Sequence, residues 1–276
     1  ILRIPSYQRG YTWSNNNLLE NSDSLSKIKG QLKDIWDDIL NIPNGSWHYM
    51  GLLTLVKANS DYNWLPNHNQ FAIVDGQQRI TSILIMLSVL IEKAKVNNIP
   101  LEVRPGDEEF HYLIIQHGLA KAFVFGYDRD NPSDKFFRKY ILNLDEIEDD
   151  SLESIYTENL KNAKLFFNEV IGKYIEKNPI ILKELYMKIT TNLRFNEYIL
   201  PGELDEYVVF ETMNNRGKPL SELEKLKNRL MYLNSKLPLS GAISNTTDDL
   251  QIEDLVAKEQ KRVLEESINK CWITIY

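Results

Sequence analysis

The sequence predicts an α+β protein, with a mixed sheet and helices over roughly the first hundred residues and a mostly helical part after them. Three observations carry that prediction. Strand-like apolar runs at 48–58 ("HYMGLLTLVKA") and 70–74 lie in the first part. Apolar residues at helical spacing dominate beyond residue 150. Capping and breaking signals between 217 and 224 divide the second part into separate helices.

Taken in order, "ILRIP" alternates briefly and reads as a short strand ending at Pro5. "YQRGYTW" follows, and 15–26 is an Asn/Ser-rich loop. Ser26 can cap a helix to about Asn41, with Ile28, Leu32, Ile35, Trp36 and Ile39 on one face. After the two strands, Gly76 turns the chain into a helix from Gln77 to Val96. "LEVRP" is one more strand candidate, and 105–150 shows no clear pattern. A strong amphipathic helix covers 151–177, and another runs from Pro179, a good first-turn residue, to Thr190. "LRFNEYIL" reads as a short strand. A helix from Glu203 to Asn214 stops at "NNRGKP", where Gly217 suits a left-handed cap and Pro219 forbids continuation. Ser221 and Glu224 form a capping box for the next helix, and a last helix spans 251–272. The division expected is 1–104 as the α+β unit and 105–276 as the helical part.

Composition narrows the function. The 276 residues are 43% hydrophobic and 26% charged, as in a soluble globular chain. A net charge of −7 gives no general attraction for nucleic acid, so DNA contact would need a local basic patch. The lone Cys271 allows no internal disulfide or cysteine zinc site and suits a reducing, cytoplasmic setting. No apolar run reaches the roughly 18 residues of a membrane span. The abrupt ends, Ile1 and "CWITIY", suggest a piece cut from a longer chain. There is no Walker-type phosphate loop and no Rossmann glycine fingerprint. His48, His68, His111 and His117 show no metal-binding spacing, and no His–carboxylate–Asn nuclease cluster occurs.

Three stretches could carry chemistry. In "FAIVDGQQRITSIL" a strand delivers Asp75, Gly76 turns the chain, and Gln77 opens a helix whose free N–H groups favour an anion. Arg79 adds a fork suited to phosphate, Gln77 and Gln78 can bond a sugar, a base edge or a water, and Asp75 can hold Mg2+. An ordinary alternative carries equal weight: Asp75 as a helix cap and Arg79 as a solvated surface residue. In "IPSYQRGYTW", Tyr7, Tyr11 and Trp13 alternate with Gln8, Arg9 and Thr12, a mixture that suits base stacking with phosphate contact or, equally, rings turned into a core. In "FETMNNRGKPLSELEKLKN" (210–228), capping explains Gly217, Pro219 and Ser221 but not Arg216.

Together "IPSYQRGYTW", "DGQQRITS" and "FETMNNRGKPL" resemble, in order and spacing, the signatures of the prokaryotic GmrS/SspE-like family, which is related in fold to ParB and sulfiredoxin. The resemblance covers positions 4–221. It implies a ParB/sulfiredoxin-like mixed sheet and a nucleotide-binding, often nucleotide-hydrolysing, sensor domain of modification-dependent restriction and phage-defence systems. Asp75, Gln77, Gln78 and Arg79 become the catalytic set, with Asp75 as the residue for Mg2+. Tyr7, Gln8, Arg9, Gly76, Thr81, Asn214 and Arg216 become the nucleotide- or phosphate-binding set. Tyr7, Arg9, Tyr11 and Trp13 become the candidate contacts for modified DNA. The implied partners are DNA and a His–Asn–His nuclease, either C-terminal or on a separate subunit, with a homo-oligomer as a further expectation. The nuclease motif is missing from this chain, so DNA cleavage by it alone is not expected. The competing function is a non-catalytic, modified-DNA-binding module on the same scaffold.

Overall fold

The computed structural model describes residues 1–16, 28–57, 69–101, 114–117, 120–128, 131–143, 153–214, 220–237 and 247–275. Its centre is a five-stranded mixed sheet. Strand β1 (Leu2–Ile4) is followed by two short strands, β2 (Asn15–Asn16) and β3 (Lys29–Gly30), that pair with each other outside the main sheet. Helix α1 (Gln31–Leu40) leads to β4 (His48–Lys57), and β5 (Phe71–Asp75) runs into α2 (Gln77–Val96). A small hairpin, β6 (Ile114–His117) and β7 (Ala120–Phe123), precedes β8 (Phe125–Tyr127). The main sheet is completed by β9 (Leu193–Ile199), in the order β8-β1-β5-β4-β9. Strand β1 is parallel to β5 and β8, whereas β4 is antiparallel to β5 and parallel to β9.

The helical part comprises α3 (Pro132–Phe136), continued as a π-turn over Phe137–Ile141, then α4 (Ile155–Lys177) and α5 (Ile181–Met187) with a π-turn over Lys188–Asn192. It ends with α6 (Glu206–Asn214), α7 (Glu222–Lys236) and α8 (Thr247–Ile275). The protein is thus α+β. No helix among the described residues is long and apolar enough to cross a membrane.

Helix α2 is the axis of the core. Ile85, Met86, Leu87, Val89 and Leu90 are all at most 2% exposed, which requires apolar neighbours around most of its circumference. One side meets the sheet through Ile73 and Leu55, and the other meets α4 through Leu160, Phe167, Val170 and Ile171. A second, smaller cluster of Tyr7, Val74, Leu200, Phe210, Leu220 and Met231 ties α6 and α7 to the far side of the sheet.

Several expected boundaries shift for physical reasons. The helix expected from Ser26 begins at Gln31, because Lys29 and Gly30 pair with Asn15 and Asn16 and Gly30 takes a φ of 142°. The helix expected from 151 begins at Ile155, where Ser154 and Thr157 form a reciprocal capping box. The helix expected from Glu203 begins at Glu206, with the Asp205 side chain accepting from Tyr207 N at 3.1 Å. The unpatterned 105–150 stretch contains β8, all three of whose residues are buried, so it lacks the alternation that marks a half-exposed strand. The 104/105 division does not part the sheet: both outer strands, β8 and β9, come from beyond it. Ser26, the expected strand after Leu101, and 215–219, including Arg216, Gly217 and Pro219, lie outside the described residues.

Candidate functional site

Strand β4 cannot run straight past the start of α2. Gly51 has a φ of 94°, and the β4–β9 register shifts between Tyr49 and Leu52. That bulge turns two backbone carbonyls toward α2, and Arg79 takes both: Nη1 donates to Met50 O at 2.5 Å and Nη2 to Leu52 O at 2.7 Å. The same Nη2 reaches Asp75 Oδ2 at 3.3 Å. A Cβ on Gly51 would collide with the Arg79 guanidinium, and one on Gly76 would stand 2.9 Å from Leu53 Cδ1. The DGQQR turn and the β4 bulge are therefore one interlocked piece.

Neither half of the ordinary alternative survives. Gly76, in the left-handed region, is the N-cap of α2, and no side chain caps the helix; Asp75 pairs with Arg79 instead. Arg79 is three-quarters buried rather than solvated.

The first motif is clamped onto the same helix. Gln78 Oε1 accepts from Thr12 N at 2.9 Å, and its Nε2 donates to Gly10 O at 3.1 Å. Tyr11 OH and Ser82 Oγ share a hydrogen bond of 2.6 Å, and Asn159 Nδ2 donates to Tyr11 O at 3.1 Å. Gly10 must be glycine because a Cβ would overlap the Tyr156 ring. Gln8 donates through Nε2 to the Ile73 and Val74 carbonyls, the latter at 2.9 Å, which fixes the amide's orientation and turns Oε1 away from the strand.

These clamps enclose a cavity of about 210 Å3 lined by Gln8, Arg9, Trp13, Asp75, Gln77 and Met213, among others. Gln8 and Gln77 are buried, yet their Oε1 atoms have no hydrogen-bond partner. A buried amide oxygen left unmatched costs about 1–3 kcal/mol, so the pair marks where a donor or a cation would be held. Asp75 contributes a carboxylate that is 38% exposed. Hard oxygens of this kind suit Mg2+. The described residues contain no group of three or more His, Cys, Asp or Glu that could hold a metal, so an ion here would keep water or substrate oxygens.

The structure sorts the sequence-predicted residues. Asp75, Gly76, Gln77, Gln78, Arg79, Gln8, Arg9 and Trp13 all line the cavity. Thr81 does not: it is 1% exposed, and its Oγ1 donates to Gln77 O at 2.7 Å. The Tyr7 and Tyr11 rings are 3% and 1% exposed, leaving no open face on which a base could stack. Tyr7 packs on Tyr207 at 4.6 Å and Phe210 at 5.5 Å and reaches Glu206 Oε2 at 3.5 Å. Asn214 closes α6, while its side chain and Arg216 lie outside the described residues. The third motif nonetheless reaches the cavity through Met213, whose Sδ accepts from Thr54 Oγ1 at 3.5 Å.

Glu206, beneath Tyr7, was not legible in the sequence, because 199 positions separate the two. Burial, reinforced by Asp205, Asp128 and Glu265, pushes its carboxyl up to about 7. A carboxyl whose pKa rises on folding from 4.5 to about 7 binds its proton more tightly in the folded state. Its stabilising contribution is complete below pH 4.5 and is lost as pH rises through about 7. Glu206→Gln is therefore expected to outlast the parent at alkaline pH by roughly 2 kcal/mol and to flatten the decline between acid and neutral pH. Urea midpoints across that range check it; parallel pH curves would rule it out.

The chain is thus an α+β scaffold in which two sequence-distant loops close a small polar cavity at a helix start that no side chain caps. The sequence pattern of the GmrSD restriction endonuclease N-terminal domain matches residues 1–231 of the chain. The protein belongs to that family, and so to the restriction and phage-defence proteins. No curated protein matches it.

Proposed function

We propose that this chain is the nucleotide-binding and nucleotide-hydrolysing sensor of a modification-dependent restriction system, acting on a nuclease domain. The observation that carries the reading is the cavity at the N-terminus of α2. There the orphaned Gln8 and Gln77 oxygens, the Asp75 carboxylate and the Arg9 side chain meet the uncapped helix end. Its volume, about 210 Å3, suits a polyphosphate tail rather than a whole nucleotide. The base would then lie outside, beside the partly exposed Trp13.

The lining supports a role for Mg2+ in this reading. Asp75 and the two amide oxygens repel phosphate oxygens, while the helix end and Arg9 attract them. A bound Mg2+ would neutralise phosphate charge against the acceptor side of the cavity. Asp75 and Gln77 would hold the hydrated ion or orient the attacking water. Gln78 and Arg79 would act by positioning, since their polar groups already hold the Gly10–Thr12 loop and the β4 bulge.

Phosphate release from each of the common nucleoside triphosphates, with and without Mg2+ and modified DNA, tests the reading. Mg2+-dependent release is the expected result. No release under any condition, together with DNA binding that weakens steeply with salt, would replace it with the non-catalytic DNA-reading module. The net charge of −7 already weighs against that module as the sole function.

A further inference from the structure

Helix α8 lies beyond the residues that the family pattern matches, yet it reaches the first motif. Ala257, Lys261, Glu265, Ile268 and Trp272 recur three or four positions apart and so share one face of the helix. That face is the inward one. Ala257 and Trp272 are buried, Ile268 packs on the second apolar cluster, and Lys227 Nζ lies 5.6 Å from the centre of the Trp272 ring. Asn234 Nδ2 donates to Lys261 O at 3.0 Å, and Lys261 Nζ donates to Ser235 O at 3.2 Å. These contacts hold α8 against α7. They leave Glu265 as a carboxylate in the middle of a packing face, where burial is costly unless its oxygens are bonded.

The partner of Glu265 is Ser6. Ser6 is 5% exposed, and its Oγ donates to Glu265 Oε1 across 259 positions. From the other side, Asp128 Oδ2 accepts from Ser6 N at 3.0 Å. Ser6 stands in a tight turn that Gln8 N closes by donating to Pro5 O at 3.1 Å. Gln8 lines the cavity, and its amide oxygen has no partner. Two carboxylates thus grip one end of a turn whose other end carries a cavity group.

We propose that Glu265 is a positioning residue for the cavity: by holding Ser6 it fixes the Pro5–Gln8 turn and so sets where the Gln8 oxygen meets a bound ion or donor. The inference rests on the reading of the cavity as a phosphate site. It makes α8 a part of that site although no described residue of α8 lines it. The bonds from Gln8 Nε2 to the Ile73 and Val74 carbonyls fix the amide but not the backbone that carries it. Losing Glu265 should therefore misplace the amide rather than release it, which weakens binding without abolishing it. The bond is charge-assisted and Ser6 is buried, so water does not restore it.

Amide hydrogen exchange of the full chain, resolved by peptide, tests the turn without any ligand. Glu265→Ala is expected to speed exchange at Tyr7 and Gln8 about tenfold, the loss of one charge-assisted hydrogen bond, while α2 exchanges at the parent rate. Glu265→Gln keeps an oxygen that accepts from Ser6 and should restore the parent rate. Ser6→Ala should match Glu265→Ala, and the double variant should add nothing further. In turnover assays Glu265→Ala should raise KM about tenfold and lower kcat by much less. Unchanged exchange at the turn overturns the proposal, as does faster exchange there with KM unchanged, or a double variant whose effect is the sum of the two. Faster exchange throughout the molecule would make Glu265 an anchor for α8 alone, which also overturns it. Should Glu265→Ala fail to fold, Ser6→Ala decides, because it leaves α8 intact. A parent that neither binds nor hydrolyses nucleotide removes the function proposed above, whereas exchange at the turn decides separately whether Glu265 sets the position of Gln8.

Discussion

Arg79→Ala is expected to cost about 2 kcal/mol of stability and to abolish nucleotide hydrolysis together. The physical reason lies in the β4 bulge. Removing the guanidinium leaves the Met50 and Leu52 carbonyls without their donors and releases Asp75 from its only described ion pair. Arg79 is partly exposed, so water recovers some of the lost bonding, which keeps the cost well below that of a fully buried network. Lysine supplies a point charge rather than a fork. Arg79→Lys should therefore recover one carbonyl contact, with intermediate stability and little activity. Chemical denaturation and phosphate release measured on the same preparations separate the possibilities. An alanine variant as stable as the parent would remove the strut, and one as active as the parent would remove the site.

Asp75→Asn should behave in the opposite way, lowering the hydrolysis rate by about 10²–10⁴-fold while leaving stability within about 0.5 kcal/mol. The substitution conserves shape, the side chain is 38% exposed, and a surface ion pair of this kind contributes about 1 kcal/mol at most. What disappears is the carboxylate facing the cavity. Nucleotide binding followed separately should weaken much less than turnover if Asp75 acts on the ion or the attacking water. Unchanged turnover would mean that the chemistry lies elsewhere. The contrast with Arg79→Ala is informative because the two residues are four apart on one turn, and only one of them is needed to hold that turn together.

Much of the scaffold was legible because local chemistry and tertiary packing agree. Helix α2 begins and ends where the sequence placed it, since Gly76 makes the turn and the apolar run fills the buried length. The capping box of Ser221 and Glu224 is present as expected. Strand β8 was illegible because burial on both faces erases alternation. The burial of the polar face of α7 was not legible, since it depends on which neighbours α6 and α8 present.

The sequence by itself determined the family and the strand–turn–helix at Asp75–Arg79, because motif order and glycine conformation are local properties of the chain. Only the tertiary structure decided which motif residues face the cavity. Tyr7, Tyr11 and Thr81 turn inward, Gln78 and Arg79 become clamps, and Gln8 and Gln77 keep unmatched oxygens. Those outcomes depend on partners such as Met50, Gly10 and Glu206, which lie from 29 to 199 positions away along the chain. Burial and hydrogen-bond matching over such separations are set by the packed fold, where each buried polar group must find a partner or be left as a site.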